Sequence, residues 1–311
     1  MYDIFMKTLP FFALIGVGFW AGKTRFFTEE ATAYLTKFVF YFALSAMLFK
    51  FSSNLSLGDL LNWDFIFAYL CATTLVYILA TIVSLVRKKP MAEAAIEAQC
   101  AVIGNVGFLG IPMLALLMGQ DAVGHVMMVL AVDLLVFGSL VVMIIVGSRD
   151  GRMHVGIFKT LAKGLIKNPM IVSIIIGLAW SAWEIPIPAP LNEFMSMLGA
   201  AATPGALFAI GASLASKSAE RVETAAWLSV CKLLLHPLAV TYFAVFVFPV
   251  DPYAAAVMIA AASLPVAGNI YMIAQHYNVA PQRVSASILI STAVSIVTVS
   301  VVIAWVTPLY S

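Results

Sequence analysis

Cys100-Ala101-Val102-Ile103-Gly104-Asn105-Val106-Gly107-Phe108-Leu109-Gly110-Ile111-Pro112 is apolar enough to sit in a membrane and is poorly suited to remain one unbroken helix there. No Asp, Glu, Lys or Arg stands between Glu97 and Asp121. Yet three glycines, an asparagine and a proline fall within the nine residues from Gly104 to Pro112. Pro112 removes a backbone donor and clashes with the preceding turn. Gly104, Gly107 and Gly110 lower the cost of leaving helical geometry. Non-helical backbone at membrane depth is tolerated only where it is buried in protein or lines a cavity, and in secondary transporters it marks the substrate site. The stretch therefore predicts a helix that enters the membrane, unwinds near the middle and resumes. A second stretch, Ser263-Leu264-Pro265-Val266-Ala267-Gly268-Asn269, has the same character.

Composition agrees with a membrane setting. Of 311 residues, 63% are hydrophobic and 10% charged, against about 25% charged in soluble domains, and the mean hydropathy is +1.03. The chain reads as an all-α polytopic membrane protein. Cys71, Cys100 and Cys231 all lie in apolar segments with no CxxC or Cys/His cluster, so neither a disulfide framework nor a metal site is expected. Basic residues form no nucleic-acid patch, so no nucleic-acid partner is expected; no Walker A or dinucleotide GxGxxG is present, so ATP-driven transport by this chain alone is not expected, nor is a cofactor. Lys7 precedes an apolar run, as in a signal peptide, but the run is taken as the first span.

Runs of about 20 apolar residues give ten candidate spans, at 8–22, 31–50, 64–86, 92–119, 122–147, 168–184, 192–216, 222–248, 253–277 and 283–308. The first two are short between their flanking lysines, which can snorkel to the interface. One set of connections carries Lys23 and Arg25; Arg87, Lys88 and Lys89; Arg149, Arg152, Lys159, Lys163 and Lys167; Lys217 and Arg221; and Arg283. The alternate set carries Asp59 and Asp64, Asp121, Glu184 and Glu193, and Asp251, with Lys50 its only base. The positive-inside rule makes the basic set cytoplasmic and puts both termini outside. The basic connection 148–167 divides the chain into five spans, 1–147, and five more, 168–311. An odd number per half inserts the second half upside down, giving two inverted five-helix repeats whose broken fourth and ninth helices cross near the midplane.

Unwound helices leave free N–H groups whose dipole ends favour an anion. Asn105 and Gly107 in the first break, with Gly268 and Asn269 in the second, are accordingly the candidate substrate contacts, and Gly104, Gly110, Pro112 and Pro265 make the breaks. An intramembrane ionisable group is a functional candidate by default. Lys232, in the eighth span, can neutralise a bound carboxylate, pair with an acid or snorkel to an interface. Asp133, in the fifth, can carry a coupling proton or balance Lys232 as a static pair. His236, one turn beyond Lys232, can carry a proton or pack as a hydrogen-bonded histidine. Glu93 and Glu97 read as solvated or ion-paired near the cytoplasmic surface, and Gln275 and His276 as candidates for an inner vestibule. Gly205 and Gly211, with Ala206, Ala209, Ala212 and Ala215, make the seventh span small-faced, which suits close helix packing.

The run Gly104 to Pro112 resembles the signature of the auxin efflux carrier family, which includes plant auxin exporters and bacterial carboxylate permeases. Lys167-Asn168-Pro169 with Ile176-Gly177-Leu178-Ala179-Trp180-Ser181, Cys231-Lys232-Leu233-Leu234-Leu235-His236-Pro237, and Leu264-Pro265 with Gln275-His276-Tyr277-Asn278 resemble further stretches of that family in the same order. The resemblance implies the fold of bile acid/sodium symporters. In that fold spans 3–5 and 8–10 form a mobile transport domain and spans 1, 2, 6 and 7 a scaffold, through which plant members dimerise, and transport is elevator-like. It implies secondary active transport of small organic anions, carboxylates such as malonate or malate with auxin-like acids in the same class. H+ or Na+ would be the coupling ion, and the plasma membrane (the inner membrane in a bacterium) the location. Ile270 stands where plant members often carry a second proline, and their long central loop is absent, which points away from auxin itself. The alternatives are a sodium-coupled symporter of a larger organic anion, or a membrane ligand sensor that moves nothing. No nucleophile–base motif suggests an enzyme.

Overall fold

The computed structural model describes residues 2–55, 62–150, 165–216 and 222–309. Most of the 148–167 connection, with Arg152, Lys159 and Lys163, lies outside the described residues, as do Asp59, Lys217 and Arg221. Among the described residues seven helices are long and apolar enough to cross a membrane. They are α1 (Tyr2–Lys23), α2 (Glu29–Ser52), α3 (Trp63–Val86), α6 (Ala122–Ser148), α8 (Ala189–Ala215), α9 (Val222–Val247) and α12 (Pro281–Val306). The fourth and ninth predicted spans are each two shorter helices end to end. These are α4 (Met91–Val102) with α5 (Val106–Met118), and α10 (Pro252–Ala262) with α11 (Gly268–His276). The sixth is α7 (Pro169–Ala182), 14 residues opened by the Asn168 cap, whose Oδ1 accepts the Met170 N–H at 3.0 Å.

Close helix approach is written in glycine. The small face of α8 packs along α1. A Cβ at Gly211 would stand 1.9 Å from the Ile15 carbonyl oxygen, and one at Gly18 would stand 2.1 Å from that of Phe208. Without a hydrophobic drive inside lipid, such backbone contact is what holds helices together. Gly211→Leu should therefore separate the pair and cost about 1–3 kcal/mol or more, the scale of overpacking. Gly16→Ala, whose Cβ would meet nothing within 4 Å, should be neutral or slightly stabilising. Thermal unfolding in detergent compares the two, and equal melting would show that the α1–α8 contact is dispensable.

Elsewhere α3 packs on α4 and α9, α9 on α12, and α10 on α6. The ends of four helices share one ion cluster. Glu97 of α4, 1% exposed, accepts from Arg87 at the end of α3 and from Arg283 in the first turn of α12. Arg283 also pairs with Glu93, and Arg87 donates to Thr224 Oγ1 of α9 at 2.8 Å. Of the two readings of the glutamates, Glu97 is thus ion-paired and buried. At the opposite end Asp251 caps α10, its Oδ1 accepting from the N–H groups of Tyr253 at 3.0 Å and Ala254 at 3.1 Å.

Candidate functional site

The two breaks meet and pair through their main chains. At Ile103 the backbone turns extended (φ −86°, ψ 116°), and Gly104 faces Val266 as an antiparallel bridge. The Asn105 N–H donates to Pro265 O at 2.8 Å, and the Ala267 N–H donates to Ile103 O at 3.1 Å. The Val266 N–H reaches Ser291 Oγ of α12 at 3.1 Å. Buried backbone polar groups must be paired, and here each break satisfies the other.

The causes of the two breaks differ. Leu264 precedes Pro265, which disfavours helix at that point, so the second break is local in origin. Pro112 is not in the first break. It lies in α5, beyond a π-helical turn at Val106–Gly110. Gly104, Gly107 and Gly110 also do not serve by adopting unusual backbone, since Gly119 is the one described glycine with positive φ. They serve by lacking a side chain. A Cβ would stand 3.2 Å from Lys232 Nζ at Gly104, 2.8 Å from Met170 Cε at Gly107, and 2.7 Å from Leu264 Cδ1 at Gly110. The first break is held by its partner strand and by these close approaches.

Below the crossing opens a cavity of about 750 Å³ between α2, α8, α11, the start of α12 and the two breaks. Asn105, Phe108, Gly268 and Asn269 line it. Asn105 is 6% exposed, and the Asn269 Oδ1 is buried without a hydrogen-bond partner. No side chain caps the first turn of α5 or of α11. A Cβ at Gly268 would meet nothing within 4 Å, so the start of α11 faces open space. Two helix N-termini and two amides thus converge on one corner, which suits an anion of low charge. Gln275 lines the cavity, and His276 does not. Gly107 lies against Met170 and is not in the wall.

The predicted ionisable groups form a separate, buried network behind the crossing. Lys232, Asp133 and His236 are 0%, 3% and 0% exposed, and none lines the cavity. Asp133 begins a π-helical turn of α6, and Lys232 lies in one of α9. Such turns are frequent at functional sites because they re-aim side chains. Lys232 Nζ donates to Ala262 O, the last carbonyl of α10, and contacts His236 Nδ1 at 3.4 Å. His236 Nε2 meets Thr73 Oγ1 at 3.0 Å, and the Tyr69 hydroxyl donates to Asp133 Oδ1 at 2.8 Å. Of the two alternatives for Asp133, a direct ion pair with Lys232 is not made: among the described residues every ion pair involves Arg87 or Arg283.

Tyr69 and Thr73 went unnoticed in the sequence. Their signal is the i, i+4 spacing that puts them, with Tyr77, on the buried stripe of α3.

A family model described as "Membrane transport protein" matches residues 3–303. A protein of Rhizobium meliloti (strain 1021) bearing the name "Putative malonate transporter" is 29% identical over 303 residues, which cover 96% of this chain and 95% of that one. The "Uncharacterized transporter YfdV" of Escherichia coli (strain K12) is 25% identical over 308 residues, 93% of each chain. The "Lysosomal cholesterol signaling protein" of Mus musculus is 24% identical over 254 residues, 76% of this chain but 29% of that longer protein. With the family model spanning nearly its whole length and its helices apolar enough to cross a membrane several times, this chain belongs to the membrane transport protein family, the auxin efflux carrier-like transporters.

Proposed function

We propose that the protein is a secondary active transporter of small carboxylates, dicarboxylates such as malonate foremost, working by alternating access. The observation that carries this reading is the corner of the cavity where the uncapped starts of α5 and α11 meet Asn105 and Asn269. Neutral donors at helix N-termini hold an anion without adding a buried charge that would need a partner when the site empties. The name borne by the Rhizobium relative points to the same class of ligand.

In this reading the chain crosses the plasma membrane ten times as two inverted repeats with both termini outside. The α3–α6 and α9–α12 group carries the crossing as one body and slides against a scaffold of α1, α2, α7 and α8, through which two copies pair. Glu29, Ser216 and Pro281, at the end of the basic connections, line the cavity, which supports reading it as open to the inside.

Proteoliposomes loaded with unlabelled malonate and given labelled malonate outside test the reading. Exchange that saturates is the expected result. Binding without flux would instead favour a sensor, the reading that the mouse relative's name supports. Asn105→Ala should weaken malonate binding by about 1–3 kcal/mol, the scale for a hydrogen bond to a charged group. Folding should survive, because the crossing is bonded through backbone. Unchanged affinity would make Asn105 a structural residue.

A further inference from the structure

We infer that Lys37 is the group that reads the second carboxylate of a diacid, making the site selective for dianions. This rests on the carboxylate reading above and adds a residue and a charge preference to it.

Among the described residues, the charged side chains in the cavity wall are Glu29 and Lys37. Glu29 stands in the first turn of α2, where its charge complements the helix N-terminus. It lies two turns from Lys37, about 12 Å along the axis, too far to pair with it. Lys37 itself is exposed, and among the described residues no carboxylate lies within 4 Å of it. It sits 5.5 Å from the Tyr34 ring. Lys232, the cation singled out by its depth in an apolar span, is shut away behind Gly104 and faces Ala262 O.

Position along α2 ties Lys37 to the crossing. Phe40 lies one turn further on, its ring centroid 6.5 Å from that of Phe108 in the first turn of α5. Lys37 and Phe40 are three residues apart on one face, about 4.5 Å along the axis. Lys37 and Asn105 line the same cavity, so for an acid with one carboxylate among the neutral donors beside Asn105 the lysine is the cation in the wall that its second carboxylate can meet. The crossing offers donors and partial charges but no full positive charge, so the second carboxylate finds its counter-charge in Lys37. A lysine that merely snorkels to the interface would leave anion affinity untouched.

The test uses the full-length protein in nanodiscs, with malonate and monomethyl malonate as probes, titrated calorimetrically into wild type, Lys37→Met, Lys37→Arg and Asn105→Ala. Lys37→Met should lose about tenfold in malonate affinity and less than twofold in monomethyl malonate affinity. Lys37→Arg should keep most of the malonate affinity, and Asn105→Ala should weaken both ligands. Lys37→Met that binds malonate as wild type does, or loses both ligands equally, overturns the assignment while leaving the transporter reading intact. Wild type that binds neither acid overturns both.

Discussion

Glu97→Ala should lower the stability of the protein by about 3–5 kcal/mol, the range for removing one partner from a buried ion pair. The carboxylate is 1% exposed and accepts from two guanidinium groups of different helices. Its removal leaves Arg283, itself 8% exposed, with one acid, Glu93, and leaves Arg87 with none among the described residues. Glu93→Ala should cost far less, because its side chain is 29% exposed and meets only Arg283. Adding Arg283→Leu to Glu97→Ala should recover part of the loss, since apolar replacement of a buried pair is often neutral. Melting temperatures of the three variants in detergent decide the matter, and equal melting of the Glu97 and Glu93 variants would deny the cluster its role. Because the cluster ties α3, α4, α9 and α12, its loss should also loosen the end of the protein where the cavity opens.

In the transporter reading with H+ as the coupling ion, Asp133→Asn should abolish accumulation driven by a proton gradient while leaving exchange intact. One carboxylate oxygen is held by the Tyr69 hydroxyl, and the other is buried with no partner. Lys232 is bonded to Ala262 O, so among the described residues no cation makes a direct ion pair with Asp133. An unpaired charge in an apolar span is expensive, which suits a group that takes up and gives back a proton. Uptake compared from pH 5 to 8, with no sodium gradient, checks this. An inactive Asp133→Asn that is restored by Lys232→Met would mean the two residues balance each other statically. Unchanged accumulation would remove Asp133 from the mechanism and make sodium-dependent flux the next measurement.

Much of this was legible in the sequence, for identifiable reasons. Pro265 announces a break because proline acts on its immediate neighbours. Asn105 was legible as a polar group in an apolar run. The small face of α8 was legible because packing in lipid leaves a composition signature. What escaped depends on distance in the chain. The first break is bonded to Pro265 and pressed by Lys232, neither of which is near Gly104 in sequence. Glu97 and Arg283 are 186 residues apart, and their pairing needs both halves of the chain folded. Lys37 looked like a residue that merely ends a short span, since only the fold shows that α2 walls the cavity. Lys232 looked available to substrate because depth in a span does not say which side of the crossing a side chain takes.

The bridge between Gly104 and Val266 has a consequence for how such a protein diversifies. Its bonds run from main chain to main chain, and any amino acid with an N–H supplies them. The residues around it are therefore free to drift without dissolving the crossing. Asn105, Phe108, Asn269 and the facing side of α2 can be exchanged as a set, and a new ligand recognised, while the supporting geometry is inherited unchanged. A laboratory selection for a different acid should accordingly collect its substitutions in those side chains and leave Gly104, Gly110 and Pro265 alone. Relatives that share this architecture need not share a cargo.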